Sequence, residues 1–310
     1  MPLAHPLRDP LIARLEAHLR RELKLPDGAA VRIALSGGPD STALAATMAA
    51  LAPVRGYRVR ASHVHHGLTE EASAWERTCQ ATCERLGIPL AVARWEGGVE
   101  VGESEEAAAR RARYALLAAE LEPEEWLLTA HHADDQAETV LLFLARGAGL
   151  DGLSGIERQR PFGPGWLARP LLPFARAELM DLIRRMDLAT VDDPANRDPR
   201  LARARIRQQG LPCLEAAFGS GVVPAAARSA AGLQDAREVL DGVVAERLAR
   251  LRRAGGLDAS GLAALAPAEG RLVLRAALRE AGWLPPRRDV LERARALAEG
   301  GEGEVAWADG

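Results

Sequence analysis

Apolar residues alternate with small or polar ones from Val31 to Leu35, stop at the Gly37-Gly38 pair, and give way to strong helix formers from Ala43 to Leu51. The pattern predicts a strand, a glycine turn and a helix N-terminus. Before it, Leu11, Leu15, Leu19 and Leu23 stand four apart in a helix over residues 7–25 that Pro26-Asp27-Gly28 ends. After it, further strands are predicted at 57–64, 89–95 and 126–130, with helices at 70–86 and 104–121 between them. A last strand near 166–169 precedes a helix over 176–186. Strands that alternate with helices argue an α/β fold: a parallel sheet covered on both faces, with ligands outside the carboxyl ends of its strands. From Gln208 onward the strand pattern is gone, and helices are predicted at 225–253, 262–281 and 288–298. We expect a boundary at 210–212, dividing a catalytic domain over 1–209 from a small helical domain over 210–310. A strand-like segment at 304–310 suggests a chain that is either naturally short or cut.

A chain of 310 residues suits two domains. No signal peptide is evident, and the longest apolar run, 43–53, is shorter than the about 20 residues that span a bilayer. Three cysteines, Cys79, Cys83 and Cys213, fit a reducing cytoplasm, and we expect a cytoplasmic protein away from membranes. The net charge of −3 excludes a molecule that binds nucleic acid by its total field, so a polyanion partner needs local patches. Lys24 is the only lysine, which excludes a lysine clamp or Schiff base in the core.

The polar motifs stand at the predicted strand ends. After the first comes Ser36-Gly37-Gly38-Pro39-Asp40-Ser41, where N–H groups and a helix N-terminus make an anion site. Asp40 would repel phosphate unless Mg²⁺ stood between them, so the loop reads as a Mg-pyrophosphate cradle rather than a Walker A loop, which needs a lysine. His63-Val64-His65-His66-Gly67 closes the second strand, and His131-His132-Ala133-Asp134-Asp135-Gln136-Ala137-Glu138-Thr139 follows the fourth. Such His and Asp groups suit a metallohydrolase, but adjacent histidines point apart and no further metal cluster is visible.

The loop resembles the signature of the PP-loop ATP pyrophosphatases, and with the two His-containing elements the chain resembles the tRNA(Ile)-lysidine synthetase family. The likeness continues through Arg146-Gly147, Gly149-Leu150, Gly152-Leu153, Arg169-Pro170-Leu171-Leu172 and Asp193-Pro194-x-Asn196, about two thirds of the chain. It departs where His65 and Ala204 replace asparagines.

The resemblance implies a two-step reaction on the wobble cytidine of isoleucine tRNA with a CAU anticodon. ATP adenylates the carbonyl oxygen of the base and releases pyrophosphate; free L-lysine then displaces AMP to give lysidine. ATP and Mg²⁺ are the implied cofactors. Ser36, Gly37, Gly38, Pro39, Asp40 and Ser41, with His63, His66 and Gly67, would bind the nucleotide. Asp40 would hold Mg²⁺. Arg110 and Arg113 match an Ala-Arg-x-x-Arg-Tyr element and would grip phosphate or the base carbonyl, while Arg111 solvates its helix. His131, His132, Asp134 and Asp135 would orient the lysine or accept its proton, though one of the two aspartates caps the helix. Glu138 is either a Mg²⁺ ligand or a capping-box partner. Arg197, Arg200, Arg203, Arg205 and Arg207 would contact the tRNA backbone or solvate a helix. The runner-up is tRNA thiolation, which needs a Cys pair or an iron-sulfur cluster. Cys79 and Cys83 are the close pair, on a predicted helix away from the strand ends, and read as core.

Overall fold

The computed structural model describes residues 6–65, 72–95, 97–98, 105–192, 198–253, 256–284, 286–298 and 300. It contains two compact units, Met1–Gly232 and Leu233–Gly310. The first holds α1 (Pro10–Arg21), β1 (Ala30–Ala34), α2 (Pro39–Arg55), β2 (Arg58–His65), α3 (Ala72–Leu86), β3 (Leu90–Arg94), α4 (Glu105–Ala119) and β4 (Trp126–Leu128). It continues with α5 (Ala133–Ala145), α6 (Leu150–Leu153), β5 (Gln159–Phe162), β6 (Gly165–Ala168), α7 (Arg176–Met186), α8 (Ala202–Arg205) and α9 (Leu211–Phe218).

The sheet order is β3-β2-β1-β4-β6-β5, parallel throughout except for β5 against β6. The chain therefore builds outward from β1 to β3, returns, and builds the other way from β4. The switch point lies between β1 and β4, where a ligand crevice forms in such sheets. The polar loops after β1 and β4 meet there. β5 is absent from the sequence expectation because Pro161 interrupts its pattern; proline is tolerated at a sheet edge, where its missing N–H costs no ladder bond.

Alternation along the strands sorts side chains onto two faces. Val31, Ile33, Trp126 and Leu128 join α1, α2 and α7 in a large core that includes Leu15, Leu44, Met48, Leu179 and Leu182. Each such buried aliphatic side chain stabilises by about 1.5–3 kcal/mol. The opposite face carries Val64, Leu127 and Leu167 beneath Leu117 and Leu121 of the α4 region. It also carries an ionic network. Arg32 donates to Ser62 Oγ at 2.7 Å, Glu120 Oε2 at 3.0 Å, the Glu120 carbonyl at 2.8 Å and Glu125 Oε2 at 3.3 Å. Arg60 Nε donates to Glu125 Oε1 at 2.6 Å, and the Glu122 N–H to Glu125 Oε2 at 2.9 Å. Glu125 is completely buried, and these three donors hold its pKa below the usual range although burial alone would raise it. Gly165 is required beside it, since a Cβ there would lie 2.2 Å from the Glu125 carbonyl oxygen.

The division between the units falls at Gly232, inside α10 (Val222–Leu251), later than the expected 210–212. Leu211 and Val223 pack with Ala133 and Ala137 of α5, which ties this stretch to the sheet-containing unit. In the second unit, Val244, Leu248, Leu251, Leu262 and Val273 form a separate core. The helix expected over 262–281 is two, α11 (Ala259–Ala263) and α12 (Pro267–Glu280), because Pro267 starts a new one; α13 (Arg288–Ala298) follows as expected. A two-residue hairpin, β7 (Arg252–Arg253) with β8 (Gly256–Leu257), interrupts a region expected to hold no strands. The strand expected at 304–310 lies outside the described residues. Among the described residues no single helix is long and apolar enough to cross a membrane.

Candidate active site

The loop after β1 turns at Gly37, whose φ of +84° is left-handed. A Cβ there would also press on Val191 and Cys79, at 3.1 and 3.2 Å. Ser41 Oγ donates to the Gly38 carbonyl at 3.0 Å and accepts from the Ser36 N–H at 3.2 Å, which closes the loop on itself. Pro39 starts α2, and no side chain caps it. The N–H groups of its first turn are thus left for an anion.

The element after β4 is organised by His132, whose side chain is only 2 % exposed and faces three carboxylates. Its Nε2 lies 3.6 Å from Asp40 Oδ1 and 3.4 Å from Asp135 Oδ2, and its Nδ1 3.5 Å from Asp134 Oδ2. Burial disfavours the charged imidazolium, yet Asp134, Asp40 and Asp135 outweigh it and push the pKa up to about 10. Burial likewise favours neutral Asp40, and is outweighed by His132 and Arg176, so Asp40 stays below its usual range. Asp135 Oδ2 accepts the His132 N–H at 3.1 Å as the capping partner of α5, while Asp134 Oδ2 accepts the Arg176 N–H at 2.8 Å and joins α5 to α7. The two aspartates thus divide their work, and Asp135 also lines the cavity.

His131 behaves oppositely. Burial, reinforced by Arg169, Arg110 and Arg203 against Asp135, lowers its pKa to about 4, so it is neutral at neutral pH. Its Nδ1 shares a hydrogen bond with Thr129 Oγ1 at 3.0 Å. Two adjacent imidazoles, one cationic and one neutral, therefore stand at the same strand end, the pattern by which acid and base roles are separated. Of the two, His131 lines a cavity of about 320 Å³ that also brings Ser36, Asp40, His63, Arg110, Arg113 and Arg176 together, with Trp75 and Tyr114 on its wall. The Arg110 guanidinium stacks on Tyr114 at 5.3 Å. Arg111 is exposed, as expected of a solvated position.

His63 is oriented from behind: its Nδ1 shares a hydrogen bond with the Leu35 carbonyl at 2.9 Å and stands 3.4 Å from Cys79 Sγ. Burial lowers its pKa. Cys79 is buried, as expected, but it sits directly under Gly37 at the end of β1, not away from the strand ends; helix periodicity gives its face and only the packing gives its neighbour.

Glu138 is fully buried and Arg207 grips both its oxygens, Nε to Oε1 at 2.6 Å and Nη2 to Oε2 at 3.1 Å. Arg207 Nη2 also reaches Asp135 Oδ1 at 3.4 Å. Glu138 is therefore neither a capping-box residue nor open in this structure, and Arg207 is engaged internally. Arg203 donates to Thr139 Oγ1 at 3.0 Å, Arg205 to the Pro199 and Arg200 carbonyls, and Arg200 to Asp198. The Arg200 side chain is 88 % exposed, against 31 % for Arg207. Gln136 brackets the Ile156 backbone, accepting its N–H at 2.6 Å and donating to its carbonyl at 3.2 Å. His66, Gly67, Arg197 and the segment 193–196 lie outside the described residues. Arg176, Trp75 and Tyr114 line the cavity without having been singled out in the sequence as site residues by themselves; for Arg176 the available signal was its place at the start of the helix after Arg169-Pro170-Leu171-Leu172.

Residues 257–310 match the TilS substrate binding domain. The chain is 41 % identical over 297 residues to the tRNA(Ile)-lysidine synthase of Methylococcus capsulatus, covering 92 % of this chain and 66 % of that protein. It is 44 % identical over 265 residues to that of Alkalilimnicola ehrlichii, covering 84 % and 58 %. The chain thus spans less than two thirds of the length of these curated relatives. Among solved structures, a U34-tRNA thiolase from Methanococcus maripaludis superposes with a TM-score of 0.60 at 18 % identity, covering 72 % of this chain and 78 % of that one, which is a likeness of fold. Residues 12–214, containing the loop after β1 and the histidine element after β4, match the PP-loop domain, and the chain belongs to the PP-loop family.

Proposed function

We propose that this protein is a cytoplasmic ligase that uses ATP to join free L-lysine to the wobble cytidine of isoleucine tRNA with a CAU anticodon, through an adenylated cytidine, releasing pyrophosphate and AMP. The observation that carries the reading is the single cavity in which the loop of Ser36 and Asp40, the arginines Arg110 and Arg113, and the His131 and Asp135 pair converge. The 41–44 % identity to tRNA(Ile)-lysidine synthases supports the choice among PP-loop reactions.

In the first step the cytidine carbonyl oxygen bonds to the α-phosphorus and the bond to pyrophosphate breaks. The loop N–H groups and the α2 N-terminus stabilise the departing charge, as preorganised donors do. Arg110 and Arg113 orient the triphosphate or the base. In the second step the lysine amine attacks the activated base carbon and AMP leaves. The lysine ammonium must lose a proton before its nitrogen can attack, and neutral His131 is the candidate acceptor. Asp135 faces the incoming ammonium group. His132 holds Asp40, Asp134 and Asp135 around one positive charge.

Mg²⁺ belongs with the ATP. Asp40 fits it, because its Oδ1 is shielded from solvent without a hydrogen-bond partner. Among the described residues no group of three or more His, Cys, Asp or Glu forms a metal cage. That also suits Mg²⁺, which takes one or two carboxylates, with phosphate oxygens and water completing its shell. It would neutralise phosphate charge. Glu138 could join it only if Arg207 released it. The exposed Arg200, with Arg205 and Arg203, is proposed to meet the tRNA backbone together with a recognition domain after about residue 210. Thiolation is the weaker reading: burial pushes the thiols of Cys79 and Cys83 up to about 12 and about 11, where thiolate is scarce.

The test is incorporation of labelled lysine, with ATP and Mg²⁺, into isoleucine tRNA bearing CAU, beside methionine tRNA with the same anticodon. Incorporation into the first alone is expected. Lysine-independent modification of the tRNA would sink the reading.

A further inference from the structure

Arg176 stands at the first position of α7 and lines the same cavity as the phosphate loop. Its backbone is fixed from two sides. The Arg176 N–H donates to Asp134 Oδ2 at 2.8 Å, and beside it the Ala133 N–H donates to the Phe174 carbonyl at 2.9 Å. Glu178 accepts the Ala175 N–H at 2.9 Å, and Leu179 and Leu182 anchor the helix in the core. The guanidinium, by contrast, meets Asp40 only at ion-pair distance. Its Nε is shielded from solvent, donates to nothing, and lies 3.4 Å from Asp40 Oδ1, itself without a hydrogen bond.

An arginine placed to neutralise a carboxylate closes on it as a fork, as Arg207 does on Glu138 at 2.6 and 3.1 Å. Arg176 does not close on Asp40. Asp40 shares the one cation His132 with Asp134 and Asp135, and Arg176 adds a second positive charge at 3.4 Å without closing on it. A backbone held from two sides, a guanidinium held short of a hydrogen bond to Asp40 and a cavity shared with the anion loop describe a side chain placed to take a further anion.

We infer that Arg176 grips the pyrophosphate leaving group of the first half-reaction; this rests on the proposed function above. As the cytidine oxygen bonds to the α-phosphorus, the electron pair of the breaking bond passes to the bridging oxygen of pyrophosphate. The Arg176 donors share the cavity with the loop and would receive that charge. The second half-reaction, in which AMP leaves, does not require them. Asp134 is then a positioning residue, acting through the α7 N-terminus.

The experiment is calorimetric titration of the whole chain with Mg²⁺-pyrophosphate, comparing wild type with Arg176→Ala, Arg176→Gln and Arg176→Lys, together with melting curves. Loss of one charge-assisted contact predicts about 10- to 100-fold weaker binding for the Ala and Gln variants. Lys should recover part of it, with melting temperatures near wild type because the backbone anchors remain. Unchanged affinity in Ala and Gln, or no binding by wild type, overturns the inference; a lowered melting temperature with unchanged affinity marks a structural role and overturns it too. Single-turnover assays with tRNA separate it from the reading beneath it. If wild type makes lysidine and Arg176→Ala forms the adenylate at the same rate, the inference alone fails. If pyrophosphate binding depends on Arg176 but wild type makes no lysidine, the assigned substrate fails and the residue's role stands.

Discussion

Two buried ionic clusters sit on the same sheet and are built differently. Around Arg32 and Glu125 the donors and carboxylates close to 2.6–3.3 Å, and Arg32 spends all three of its nitrogens on Ser62, Glu120 and Glu125. Around His132 the ionic separations are 3.4–3.6 Å, and Asp40 Oδ1, His132 Nδ1 and Arg176 Nε are shielded yet without hydrogen bonds. Buried polar atoms are costly to leave unmatched, so a cluster that tolerates three of them at a switch point has room reserved for a ligand. The first cluster holds the sheet together; the second is the one we propose takes charge from outside.

The largest effect that would test this contrast is on stability. Arg32→Leu removes the cation that Ser62, Glu120 and Glu125 share, leaving Glu125 with Arg60 as its one cation, and should cost about 3–5 kcal/mol, read as a lower denaturant midpoint. Pyrophosphate release per folded molecule should change little. Comparable losses of activity and stability would mean that the two clusters are one unit. Asp40→Asn should do the reverse, reducing pyrophosphate release by about two to three orders of magnitude with the midpoint nearly unchanged. Unaltered release would remove Asp40 from the chemistry.

A smaller effect concerns pH. The His132 pKa is raised from 6.5 to about 10, so its contribution to stability is fully present below pH 6.5 and is lost as pH rises through about 10. In Mg²⁺-free protein, His132→Gln should flatten the decline of melting temperature across that window. Parallel curves for variant and wild type would show that His132 is not the cation of the cluster. The smallest effect separates the arginines. Arg200→Ala should lower the salt slope of tRNA binding by about one. Arg207→Ala should leave that slope alone and instead destabilise α5, because Glu138 loses its fork. Equal slopes for wild type and Arg200→Ala would return Arg200 to a solvated-surface role.

Much of this site is legible in the sequence, since its parts are local. The loop needs Gly37 at a left-handed φ, and the histidine element carries its chemistry within nine residues, 131–139. What was not legible is which partner each charge takes. Asp134 and Asp135 are interchangeable in a sequence; one caps α5 and the other reaches α7 because the helix turns their side chains apart by about 100°. Arg207 reads as a nucleic-acid contact until folding brings Glu138, 69 residues earlier, within reach. Cys79 reads as core and is core, yet its neighbour is the phosphate loop.

The sequence by itself determined the alternation of strands and helices, the anion loop and the identity of the groups at the strand ends, because hydrophobic period and turn chemistry act over a few residues. Only the tertiary structure decided the strand order that sets β1 beside β4, the edge strand β5, the late division inside α10 and the pairing of each buried charge. Those depend on contacts between residues distant in the chain, where burial makes an unpaired charge costly and so selects one partner among several that the sequence leaves equal.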